Sequence, residues 1–375
     1  MRLPVLGLVA VLLSSTGPGF AQIQPFLIAD PNSSPGHQLG PFPSGHLVFW
    51  EENRSGHYDI QGRNLATGEL YVVGTFGPDE LNPRFAGGSL AWQDGRARKY
   101  DIYVRDLGTA DQRLVVGVPA VPSRLEADGC FLVWRDWRDS PQGVPPEYSN
   151  TDIYAYDLQA GREIAICTAP WAQTDPDISG NIVVWSDKRR SIPGLVRTED
   201  IYGYDLTTGQ EFLIASRQDL GPLYSPAISG NIVVWGDPDN WGDIWARDLD
   251  SNTPFPICTY ANAQTMPDID GRYVVWEEWR HADTRPDIYG YDLLTGREFP
   301  IDIAPGYQVQ PRISGNLVVW SSAVGSETVR VWGAYIPEPG ALLYLASGVA
   351  LTLGLRRRGP RFRPGRRRRR HRTAL

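Results

Sequence analysis

The string ISGNIVVW stands twice in the chain, at Ile178–Trp185 and at Ile228–Trp235. Identity over eight residues at that distance marks an internal repeat, and the tryptophan that closes the string gives a register for the rest of the sequence. Counterparts fall at Trp50, Trp92, Trp134, Trp276 and Trp320, making seven copies at successive spacings of 42, 42, 51, 50, 41 and 44 residues. This is the period of units built from four short strands.

Each unit reads alike. A first segment such as TDPDISG (Thr174–Gly180) ends on a glycine suited to a tight turn. The run that follows, NIVVW, RYVVW or CFLVW, is continuously β-branched and aromatic, as a strand buried on both faces requires. A third segment, DIYGYDL or DIWARDL, leads through turns such as TTG to a short fourth strand such as QEFLIA (Gln210–Ala215). Such sheets stack as blades around an axis, which predicts an all-β, seven-bladed propeller of four-stranded blades. The fourth strand occurs only six times downstream of its partners. QPFLIAD (Gln24–Asp30) resembles it and precedes the first tryptophan, so it is expected to complete the last blade, beside Val329–Trp332, and close the ring.

Charge separates the body from the tail. After Pro339 there are 11 arginines and no acid, whereas residues 22–339 hold 24 basic against 43 acidic residues, a balance of −19. A nucleic-acid partner for the body is therefore not expected. The N-terminus has an early arginine, an apolar stretch Leu3–Leu13 and small residues up to Ala21, the pattern of a cleaved secretory signal. The expected division is 1–21 signal peptide, 22–335 propeller, 336–358 a sorting signal with a single C-terminal transmembrane helix, and 359–375 a basic cytoplasmic tail. Of the three cysteines, Cys130 and Cys167 belong to one blade with a strand between them, and Cys258 lies two blades further on. All three are expected to be free.

The strings SGNIVVW and DIYGYDLTTG resemble the β-propeller repeats of TolB-like surface proteins over residues 24–335. That resemblance implies the fold and a binding, assembly or accessory role; the blade count rests on this sequence. In the tail, Pro337, Glu338 and Pro339, the apolar stretch Gly340–Leu355 and the cluster Arg356, Arg357, Arg358 resemble the PEP-CTERM sorting signal of exported bacterial proteins. This implies an exosortase-type processing protease as partner and a cell-surface destination. Physically, sixteen apolar residues span about 24 Å as a helix, and flanking arginines retained inside hold the body outside.

Several sets of residues bear on function. An aspartate opens the third strand at Asp59, Asp101, Asp152, Asp200, Asp243 and Asp287, and repetition in six blades points to structure. Acids two after the tryptophan and arginines four after, such as Asp136 with Arg138, suggest structural inter-blade ion pairs. The positions eight before each tryptophan, Phe42, Arg84, Glu126, Asp177, Ala227, Asp268 and Arg312, lie on the innermost strand and differ between blades, as an asymmetric ligand site requires. The longer connections gather on one face and carry Trp137, Trp171, Trp241 and Trp279, flat surfaces suited to sugar or peptide. The loop DPDNWGD (Asp237–Asp243) has oxygen-rich chemistry suggesting calcium but lacks EF-hand spacing, so no metal site or other cofactor is assigned. There is no G-x-S-x-G, H-E-x-x-H or phosphate-binding loop. The expectation is an exported, envelope-presented, non-catalytic propeller that binds extracellular polysaccharide or a surface protein through its long-loop face. The alternatives are a polymer-degrading lyase or hydrolase on the same scaffold, or a ligand-free spacer.

Overall fold

The structure is a computed structural model. It describes residues 23–29 and 36–337, apart from 54–55, 74–76, 97–99, 118–119, 141–148, 192–197, 218–220, 240–241, 282–284 and 324–327. Residues 23–336 form one compact unit. The expected signal peptide, the apolar stretch Gly340–Leu355 and the basic tail, including Glu338, Pro339 and Arg356 to Arg358, lie outside the described residues. No helix among the described residues is long and apolar enough to cross a membrane.

Seven antiparallel four-stranded sheets follow one another, as the repeat predicts. Blade four shows the pattern: Gln173–Ser179, Ile182–Asp187, Thr198–Asp205 and Gln210–Ala215 pair in sequence order. A two-residue strand, Gly221–Pro222, adds parallel to Thr198–Glu199 at its margin. The first strands of neighbouring blades touch around the axis. The last blade is completed from the other end of the chain, with Phe26 opposite Gly333 and Leu27 opposite Trp332.

The core lies between blades. Val133, Ile153 and Ala155 of blade three pack against Ile178, Val183 and Trp185 of blade four in one buried cluster. This is why the second strand is apolar on both faces: one face meets the blade before, the other the blade after. Space for the outer strand comes from the third. A Cβ at Gly203 would stand 2.6 Å from the Phe212 ring of the outer strand, and one at Gly333 would stand 2.7 Å from Ile28. The donated strand thus occupies the same kind of slot that other blades fill from within. Ile28 is fully buried, its N–H donates to Val331 O at 3.0 Å, and its carbonyl accepts Arg63 Nη1 at 2.7 Å.

The quoted string also holds the ring together. Its glycine turns the chain at positive φ in all seven blades, at Gly45, Gly87, Gly129, Gly180, Gly230, Gly271 and Gly315. The preceding side chain accepts that glycine's N–H from the next blade: Asp128 from Gly180 at 2.6 Å, Ser179 from Gly230 at 3.0 Å, Ser229 from Gly271 at 2.9 Å, Asp270 from Gly315 at 2.7 Å and Ser314 from Gly45 at 3.1 Å.

The expected inter-blade ion pairs are corrected, because they form within blades. Asp136 accepts Trp134 Nε1 at 2.9 Å and Arg138 Nη2 at 2.7 Å, while Arg138 also reaches Glu163 on the outer strand at 2.8 Å. The Arg138 guanidinium lies 4.0 Å from the Tyr154 ring centroid, and the ring stacks on Trp134. Blades four and six repeat this with Trp185, Asp187, Arg189 and Tyr202, and with Trp276, Glu278, Arg280 and Tyr289. The three cysteines are free.

Candidate functional site

Every first strand carries a bulge. Pairing to the second strand is regular up to Leu39, Leu81, Ser123, Thr174, Tyr224, Thr265 and Val309 and resumes three residues later. Two residues therefore stand opposite one, and that one is the repeat tryptophan. The first of the two is left-handed in all seven blades: Gly40, Asn82, Arg124, Asp175, Ser225, Met266 and Gln310 have φ between 48° and 57°. They account for six of the ten non-glycine residues with positive φ among the described residues. A non-glycine residue in this region costs on the order of 1–2 kcal/mol, and here all seven residues line one cavity of about 120 Å³ at the long-loop end of the channel. Their chemistry differs in every blade, although the backbone that holds them is the same.

The floor of this cavity is formed by the positions eight before the tryptophan. Arg84 donates to both oxygens of Glu126 in the next blade, Nε to Oε2 at 2.6 Å and Nη2 to Oε1 at 2.7 Å. Arg312 Nη2 crosses the axis from blade seven to reach Glu126 Oε1 in blade three at 3.0 Å, and its Nη1 lies 3.6 Å from Asp268. This bridge divides the channel into the mouth above and a second cavity of about 210 Å³ below. Asp177 and Asp268 each accept the backbone N–H of a neighbouring blade, Ile228 at 2.7 Å and Ile313 at 2.8 Å.

Electrostatics differ within this group. Burial works to raise the Glu126 carboxyl, but Arg312 and Arg84 outweigh it and hold it below the usual range. Burial, followed by the charges of Glu126 and Asp268, pushes Asp177 well up. Burial also raises Asp268, against the pull of Arg312. One carboxyl pushed toward its ionised form and one pushed toward its protonated form thus face the same small space.

The structure brings Arg84, Glu126, Asp177, Asp268 and Arg312 together and sets Trp137 and Trp279 beside the bulges of their blades. Trp137 Nε1 donates to Ser123 Oγ at 3.0 Å with Arg135 over its ring, and Trp279 Nε1 donates to Thr265 Oγ1 at 3.3 Å. Each is packed onto the residue preceding its own blade's bulge. Trp171 is half-buried at φ 75° beside Gln173, and Trp241 lies outside the described residues. At the suggested calcium loop, Asp237 and Asp239 both pair with Arg217. Among the described residues no three His, Cys, Asp or Glu are grouped to hold a metal. The left-handed ring escapes a search for shared residue types. Its signal in the sequence is the proline that follows it in six blades, at Pro41, Pro83, Pro176, Pro226, Pro267 and Pro311.

No family profile and no curated protein sequence matches the chain. Among solved structures it is similar to the β-propeller domain of the trilobed protease of Pyrococcus furiosus, at 14% identity and TM-score 0.61, covering 81% of this chain and 96% of that one. It is similar to an oligogalacturonate lyase in complex with manganese, at 14% identity and TM-score 0.62, covering 84% and 96%. It also resembles the Pyrococcus horikoshii acylaminoacyl peptidase, at 15% identity and TM-score 0.62, covering 83% of this chain and 54% of the peptidase. These likenesses establish the class: a β-propeller. They also overturn the expectation that the chain is not an enzyme. Propellers of this shape belong to a lyase and to peptidases, so missing catalytic strings exclude nothing here.

Proposed function

We propose that the protein is an exported propeller that takes the end of an extracellular polymer, polysaccharide or protein, into the channel mouth of its long-loop face. The observation that carries this reading is the ring of seven left-handed residues, Gly40 to Gln310. A repeated left-handed backbone presenting six different side chains and one glycine over a buried charged floor suits recognition of an asymmetric ligand. A second reading, cleavage of the bound polymer, draws support from the floor itself. A carboxyl held protonated beside an ionised one, as Asp177 stands with Glu126, is the arrangement that acid–base chemistry uses. The test is a panel of polysaccharides and peptides offered to the full chain and to an Arg124→Ala/Asp175→Ala variant, with binding and product release both measured. Loss of binding in the variant is expected; unchanged binding refutes the channel reading, and product release selects the second.

Export and sorting belong to the same proposal. The segment from Pro337 onward is read as an anchor cut near Pro337, Glu338 and Pro339 by an exosortase-type protease, releasing the acidic propeller at the cell surface. C-terminal sequencing of surface protein is expected to end near Pro337, and an arginine tail still attached on most copies would reject sorting.

A further inference from the structure

The inference rests on the channel mouth being a ligand site and narrows what it takes. On the floor, three carboxylates meet two guanidiniums. Arg84 is committed to Glu126 by two hydrogen bonds of 2.6 and 2.7 Å. Arg312 is shared between Glu126 at 3.0 Å and Asp268 at 3.6 Å. Asp177 receives the Ile228 N–H at 2.7 Å and, among the described residues, has no cation within ion-pair distance. With all three carboxyls ionised the set is one positive charge short, and the shortfall sits at Asp177, which lines the cavities on both sides of the bridge.

The walls select among cations. Above the floor stand Pro41, Pro176, Pro226, Pro267, Pro311 and Met266, an apolar collar in which the prolines offer no N–H. The cavity they line is about 120 Å³. The body's balance of 24 basic against 43 acidic residues draws positively charged partners toward the propeller over the distance of a Debye length.

We propose that the channel mouth captures the free amino terminus of a polypeptide, with its ammonium set against Asp177 and its first side chains against the proline collar. Facing Asp177 are Glu126, Asp268 and Arg312 on the floor, with Asp175 and Arg124 above. Burial and the flanking acids favour its protonated form. An entering ammonium replaces that proton, so capture tightens as pH rises.

The experiment uses the full chain and a peptide array carrying each sequence twice, with free and with acetylated amino termini, alongside chitosan and chitin oligomers. Free termini are expected to be held about tenfold more tightly than their acetylated twins. Asp177→Asn, which keeps an acceptor for the Ile228 N–H, removes the difference, and Asp177→Glu retains it. Unfolding curves check that the variants remain folded. Equal binding of acetylated and free peptides, or a preference for chitosan over peptides, overturns the amine assignment. If the Arg124→Ala/Asp175→Ala variant then still alters binding, the channel reading stands without it; if that variant also changes nothing, both fail.

Discussion

Replacing Glu80 by glutamine should stabilise the protein at neutral and alkaline pH and not in acid. Glu80 opens the first strand of blade two, is 4% exposed, and pairs across to Asp94, which in turn pairs with Asp101. Burial, then Asp94 and Asp59, push its carboxyl up to about 7 against the ordinary 4.5, while the Ile60 N–H and Arg96 pull it down. The equivalent positions in blades one, four, six and seven are Gln38, Gln173, Gln264 and Gln308, and Gln264 Nε2 donates to Glu278 at 3.1 Å. The sign follows from linkage. Because the folded state holds the proton more tightly, the stability this group contributes is complete below about 4.5 and is lost as pH rises through about 7. A shift of this size corresponds to about 3 kcal/mol. Denaturant unfolding of wild type and Glu80→Gln at pH 4.5 and 8 is the assay. The two should be alike in acid, with the variant ahead by up to about 3 kcal/mol at pH 8. An equal pH dependence in both would refute the assignment of that proton to Glu80.

Other outcomes follow from the packing. Ile28→Ala empties the slot that closes the ring and should cost about 2–5 kcal/mol in denaturant unfolding, since Ile28 is fully buried. Gly62→Ala drives a Cβ into the buried Phe49 ring and should cost about 1–3 kcal/mol by the same measurement. Asp187→Ala leaves the Trp185 indole N–H and one face of Arg189 without an acceptor and should cost about 3 kcal/mol, read as a fall in denaturation midpoint.

The parts of this molecule legible in the sequence are those that repeat. Seven tryptophans fixed the blade count, and a census of fourth strands located the donated one, because closure demands an outer strand for every blade. The acid two after six of the seven tryptophans was visible as a pattern, yet its partners were not, since spacing reports register and not reach. Trp137 and Trp279 were legible as rim aromatics, but their packing onto Ser123 and Thr265 depends on how the long loops fold back. The floor of the channel was legible only as a list of unlike residues. Glu126 and Arg312 lie 186 positions apart, and only the closed ring brings them to 3.0 Å. The bulge ring stayed hidden for a different reason: what its members share is a backbone conformation, not a side chain.

Met266 tests the central claim most directly. It is one of two methionines in the chain, the other being Met1, and it lies in the bulge ring at 40% exposure. Mild peroxide converts an accessible methionine to the sulfoxide, so the oxidation rate of Met266, followed by mass spectrometry, reports whether the mouth is occupied. With any polymer or peptide that the full chain retains, Met266 should oxidise several-fold more slowly than in the free protein. Undiminished oxidation of Met266 under saturating ligand would place binding elsewhere and contradict the channel mouth as the site.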